Sequence, residues 1–74
     1  MEQKLKTIVA SILGISAEEV SDDLGPETNG NWDSLNHMNI ITVVEKEFDV
    51  AMSMADIQGI VDFSTLKSVV EKLS

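Results

Sequence analysis

Leu5, Ile8, Val9, Ile12 and Leu13 stand at i, i+3, i+4, i+7 and i+8, which is one face of an amphipathic helix over about residues 2–13. Gly14 is placed to stop that helix. The same periodicity returns later. Leu35, Met38, Ile40, Ile41, Val43, Val44 and Phe48 predict a second helix from about Ser34 to Phe48, with an apolar face broad enough to meet more than one neighbour. A short third helix is expected within 53–60, with Met54, Ile57 and Ile60 inward, Ser53 as its cap and Gly59 near its end. Leu66, Val69, Val70 and Leu73 give the last helix, with Ser64 as N-cap. The expected fold is all-α: a small four-helix bundle with a long loop between helices 1 and 2 and a short third helix, forming a single domain over 1–74.

The loop, residues 15–33, is rich in chain breakers: Ser16, Ser21, Asp22, Asp23, Gly25, Pro26, Asn29, Gly30 and Asn31. Ser16-Ala17-Glu18-Glu19 has the form of a capping box opening one helical turn, and Ile15, Val20 and Leu24 are the residues available to pin the loop onto the core. Loops of this length in small domains are usually functional or mobile.

At 74 residues the chain has room for a thin core, since a domain of this size buries only about 60% of the surface its unfolded chain exposes. A deep catalytic pocket is hard to build on that scale; a scaffold presenting one reactive group is not. The formal net charge is −8, from 13 acidic and 5 basic residues. Such a chain is no partner for nucleic acid or for an anionic membrane, and it favours basic protein surfaces, although acidity also serves solubility alone. Cysteine is absent, which excludes disulfides, thiolate metal sites and a cysteine nucleophile and fits a reducing, cytoplasmic setting. Lys4 and Lys6 ahead of the apolar residues 7–15 faintly suggest a signal peptide, but those apolar residues are periodic, not continuous, and no stretch is long enough to span a membrane.

Trp32-Asp33-Ser34-Leu35 falls at the junction of the loop and the second helix. The first N–H groups of a helix lack intrahelical partners, and the dipole there favours negative charge, so a serine at this point is well placed to carry a phosphodiester. The plain alternative is that Asp33 and Ser34 merely start the helix, as these residue types often do.

Over nearly its whole length the chain resembles the acyl carrier proteins. The resemblance rests on Leu13-Gly14-Ile15 followed by Val20 and Leu24, on Asp33-Ser34-Leu35 opening helix two, on Glu45-Lys46-Glu47-Phe48-Asp49-Val50, and on Asp62-Phe63-Ser64-Thr65-Leu66. It implies a non-enzymatic four-helix carrier with 4′-phosphopantetheine attached to Ser34, donated from coenzyme A by a phosphopantetheinyl transferase. The arm's thiol would hold acyl groups as thioesters for partner enzymes that load, condense or transfer them through basic docking surfaces, in fatty acid, polyketide or related specialised biosynthesis. Asp33, Leu35, Met38, Glu45, Glu47 and Asp56 are the expected recognition residues, and a monomer is expected. The chain departs from the common pattern at Asn31 and Trp32, where many members have small residues, and at Asn36, Asn39 and Lys46, where many have acids. These departures point to a specialised carrier serving a dedicated pathway.

Two rival readings stand beside this one. An aminoacyl or peptidyl carrier would share the fold and the serine, although peptidyl carriers commonly have histidine where Asp33 sits. An acidic helical adaptor would use Ser34 only as a helix cap. Among single residues, Trp32 is expected to pack the loop against helix two, and His37 to be a solvated surface residue. Met38, Ile40, Ile41, Val44 and Ile60 either fill the core or line a cleft for an acyl chain. No EF-hand fits the acidic loop: with Gly30 at the invariant glycine, Gly25 and Asn36 fall where side-chain oxygen and a bidentate glutamate are required.

Overall fold

The computed structural model describes residues 1–74 and contains four α-helices: α1 (Glu2–Leu13), α2 (Ser34–Phe48), α3 (Met54–Gly59) and α4 (Phe63–Leu73). A single 3₁₀ turn, Ala17–Glu19, interrupts the α1–α2 loop. The first two helices begin and end where the apolar spacing places them. Gly14 ends α1 in the left-handed region (φ 75°), with its N–H bonded to the Ala10 carbonyl. Asp49 ends α2 in the same conformation at φ 54°, a backbone setting that asparagine and aspartate tolerate better than most residues.

One core holds the bundle together. Leu5, Val9 and Leu13 of α1 meet Ile40, Ile41 and Val44 of α2, with Phe63, Leu66 and Val70 of α4 closing the third side. Val20, Leu24 and Trp32 come down from the loop into the same cluster, and Ile15 packs against it. The loop is therefore fixed by its apolar residues, as their positions lead one to expect. It is also stitched by backbone bonds: Phe63 N–H donates to the Leu24 carbonyl at 2.8 Å, and Ser64 N–H donates to Asp22 at 2.9 Å. Gly25 is buried at this crossing, and a Cβ there would collide with the Val61 carbonyl oxygen.

Several expectations need correction. Ser64 does not cap α4. Asp62 does, accepting from Thr65 N–H at 2.8 Å while the Thr65 hydroxyl receives the Asp62 N–H at 3.1 Å. The reciprocal pair moves the start of α4 upstream, so Phe63 is the first helical residue and is buried. Met54 does not point inward: it is 68% exposed, leaving Ile57 and Ile60 to anchor α3. The apolar face of α2 is also narrower in its burial than its composition suggests. Ile40, Ile41 and Val44 are buried, whereas Leu35, Met38 and Val43 face solvent.

Candidate attachment site

Ser34 is the first residue of α2 and is exposed. The residue before it, Asp33, is the N-cap: its Oδ1 accepts from the Asn36 N–H at 2.9 Å. The division of labour is clear. Asp33 satisfies one orphan amide of the first turn, and Ser34 is left with its hydroxyl in solvent. The adaptor reading, in which Ser34 serves as the cap, loses its structural premise.

The loop ahead of this junction is held by amide side chains. Asn31 Nδ2 donates to the Leu13 carbonyl at 3.2 Å, tying the loop to the end of α1, and Asn36 Nδ2 donates back to the Asn31 carbonyl at 2.8 Å. Two departures from the common family pattern thus have local work to do. Trp32 has a larger part. Its side chain is 1% exposed, as expected for a packing residue, and its Nε1–H donates to His37 Nδ1 at 3.0 Å. His37 Nε2 lies 3.0 Å from the Ile57 carbonyl oxygen. Both contacts are satisfied together only if Nδ1 accepts and Nε2–H donates, which selects the neutral Nε2–H tautomer. His37 is consequently not a solvated surface residue. It bridges the loop, α2 and α3.

Beside Ser34 lies an open groove of about 970 Å³. One wall is loop residues 23 and 25–28, the other is Val61 and Asp62, and Trp32, His37, Met38 and Ile60 line it as well. Of the five residues proposed for an acyl cleft, Met38 and Ile60 reach this groove. Ile40, Ile41 and Val44 do not: they are at most 1% exposed within the packed core. Periodicity groups these residues on one helix without showing which side of a buried tryptophan they occupy.

The expected recognition residues fall into two sets. Asp33, Leu35 and Met38 are exposed around Ser34, the last two at 72% and 47%. Glu45, Glu47 and Asp56 each have a partner within the chain. Glu45 Oε2 accepts from the Met52 N–H at 2.8 Å, closing the α2–α3 turn. Glu47 lies 3.7 Å from Lys4 Nζ across the surface. Asp56 accepts from Lys72 Nζ at 2.7 Å and from Ser53 N–H at 3.2 Å. The Lys72 bond and, after it, the Ser53 bond hold the Asp56 carboxyl below the usual carboxylate range. The acid at the end of α2 thus has a structural reason that the sequence does not display. No group of His, Cys, Asp and Glu in the chain is arranged to hold a metal ion.

An exposed serine on the first turn of a helix, next to a groove, is suited to a long, covalently attached phosphate-linked group. The amides at the start of α2 provide the positive end of the helix dipole there. Residues 3–73 match the family model described as the phosphopantetheine attachment site. The chain belongs to the acyl carrier protein family.

The carrier is 37% identical over 60 residues to acyl carrier proteins from two strains of Nitratidesulfovibrio vulgaris, covering 81% of this chain and 79% of theirs. It is 32% identical over 56 residues to the acyl carrier protein of Buchnera aphidicola, covering 76% of this chain and 71% of that one. In three dimensions it is similar to the solution structure of a holo acyl carrier protein from Geobacter metallireducens, with a TM-score of 0.85 at 21% identity over 97% of this chain and 83% of that one. The four-helix, strand-free fold is that of the family. The protein is a carrier and not an enzyme, and its cofactor is covalently bound 4′-phosphopantetheine. No helix is long and apolar enough to cross a membrane.

Proposed function

We propose that Ser34 bears the phosphopantetheine arm and that this carrier presents acyl groups to the enzymes of a dedicated biosynthetic pathway, of fatty acid, polyketide or related type. The observation that carries the assignment is the first turn of α2, where Asp33 takes the capping duty and leaves the Ser34 hydroxyl exposed beside the groove. In the transfer, Ser34 Oγ bonds to the phosphorus that bears the pantetheine in coenzyme A. The pyrophosphate bond breaks, 3′,5′-ADP departs, and the serine proton passes to a base on the transferase. The bound arm supplies a terminal thiol that holds an acyl group as a thioester.

This chain's residues do the rest. Leu35 and Met38 offer apolar contacts beside the arm, and Asp33, Glu45, Glu47 and Asp56 supply negative charge to basic partner surfaces, an attraction that salt weakens. The length of α2 sets the distance between the arm and that charge. Tethering raises the effective concentration of the cargo at a docked enzyme. We place the carrier in the cytoplasm as a monomer, in keeping with its cysteine-free, acidic composition.

Intact-mass analysis of the protein isolated from its native host tests this reading, with fragmentation to locate the group. A phosphopantetheine adduct on Ser34, with or without an acyl load, is expected. A fully expressed protein of unmodified mass, or an adduct on another residue, overturns it.

A further inference from the structure

Resting on the carrier reading, we propose that the Trp32–His37–Ile57 bridge seals the bundle beneath Ser34, so that thioester cargo, alkyl chains included, lies in the surface groove and not among the core residues of α2. Three observations converge on this. First, both ring nitrogens of His37 are engaged, Nδ1 by the Trp32 indole N–H and Nε2 by the Ile57 carbonyl, each at 3.0 Å. The same Ile57 carbonyl receives the Ile60 N–H at 3.3 Å, so the bridge ends on the C-terminal turn of α3. The loop, the first turn of α2 and the last turn of α3 are thereby joined through a single imidazole.

Second, Trp32 and Ile60 belong at once to the lining of the groove and to the core. An alkyl chain leaving Ser34 for the interior has to pass them. It would have to part α3 from α2, strip the indole N–H and the imidazole of their partners in an apolar setting, and open its own space among Ile40, Ile41 and Val44, which are at most 1% exposed. The groove itself needs no opening.

Third, the groove is already open and offers both kinds of contact. Trp32, Met38, Ile60 and Val61 give it apolar surface, and Asp23, Glu27, Thr28, Asp33 and Asp62 give it polar groups. It can therefore take an alkyl or a hydroxylated acyl group without disturbing the core.

The test loads Ser34 from 3-hydroxybutyryl-coenzyme A or octanoyl-coenzyme A with a promiscuous phosphopantetheinyl transferase. Intact mass verifies loading, and amide chemical shifts then locate the cargo. The 3-hydroxybutyryl group should shift the amides of Gly25, Thr28, Val61 and Asp62. In the wild type the octanoyl group should leave those of Ile40, Ile41 and Val44 where they are in the unloaded holo protein. In His37→Ala, and in Trp32→Phe, which keeps an aromatic ring and loses the N–H, octanoyl should shift the three core amides. Core shifts with octanoyl in the wild type overturn the proposal, as does an unchanged octanoyl pattern in whichever of the two variants retains a folded spectrum. Failure to load Ser34 at all overturns the carrier reading and this inference with it; a loaded protein with core shifts overturns the inference alone.

Discussion

The indole N–H of Trp32 meets Nδ1 of His37 at 3.0 Å, with the two ring centroids 6.3 Å apart, and so ties the end of the long loop to the first turn of α2. A buried donor and a half-buried acceptor depend on each other here. Trp32→Phe removes the donor and leaves Nδ1 unpaired, at a cost of about 1–3 kcal/mol. His37→Ala breaks both halves of the bridge and costs at least as much. Urea unfolding checks both. Trp32 is the only tryptophan, so its emission reports the change in His37→Ala directly: the indole loses its partner, and its spectrum moves with the new environment.

Gly25 is required by a close approach and not by its own backbone angle. Gly25→Ala places a methyl group against the Val61 carbonyl oxygen and Asp62. Backbone has to shift to admit it, and overpacking of this kind costs about 1–3 kcal/mol. The loss should appear in urea midpoints. It should be accompanied by faster hydrogen exchange at Phe63 and Ser64, whose amides bond to this stretch of loop.

Glu45 and Glu47 should separate by their roles. Glu45→Ala deprives the Met52 N–H of its acceptor and should cost about 1 kcal/mol. Glu47→Ala loses an exposed pair with Lys4 and should change stability by no more than about 0.5 kcal/mol. Any docking defect of Glu47→Ala is then a direct loss of contact, whereas that of Glu45→Ala includes a disturbed turn. Urea denaturation together with partner affinity at two salt concentrations makes the comparison.

The Asp56–Lys72 contact makes part of the stability depend on pH. The folded carboxyl titrates below its unfolded value, so its contribution is present above the unfolded pKa, about 3.9 for aspartate, and is lost as pH falls through the folded value. Glu19, whose carboxylate takes the Ser16 N–H and hydroxyl, is lowered for the same kind of reason and acts in the same direction. Lys72→Gln should therefore be less stable than the wild type at pH 6, and the gap should close on acidification below about pH 4. Thermal midpoints of the two proteins across that range give the answer; a gap that is constant with pH would mean the pair contributes nothing through its charge.

Much of this fold was legible because local rules determined it. The periodic apolar residues of α1 and α2, with Gly14 as a stop, fix both helices within the chain itself. What escaped was decided at a distance. Asp62 and Ser64 are both good caps, and the choice between them follows from Thr65 answering Asp62 and from Phe63 N–H reaching the Leu24 carbonyl. Met54 and Leu35 have helical spacing, but spacing does not reveal that the face near Ser34 is left uncovered. His37 is the clearest case. Its second partner is a backbone carbonyl twenty residues away, and no side-chain pattern encodes that. One signal was available: a tryptophan buried at a helix entrance needs an acceptor for its N–H, and the histidine beginning the next turn can supply one. Ser34, in contrast, is proposed from its place at a helix start together with the resemblance of the surrounding chain to the acyl carrier proteins, and the structure gives the cap beside it to Asp33.

Incubation of the purified protein with coenzyme A and a promiscuous phosphopantetheinyl transferase, read by intact mass, tests the central claim most directly. Ser34 is exposed and gives no cap to α2, so Ser34→Ala should keep wild-type stability to within about 0.5 kcal/mol and serve as a folded control. The wild type should gain one phosphopantetheine and the variant none. A wild type that stays at its unmodified mass, or a Ser34→Ala protein that still gains the arm, would contradict the assignment.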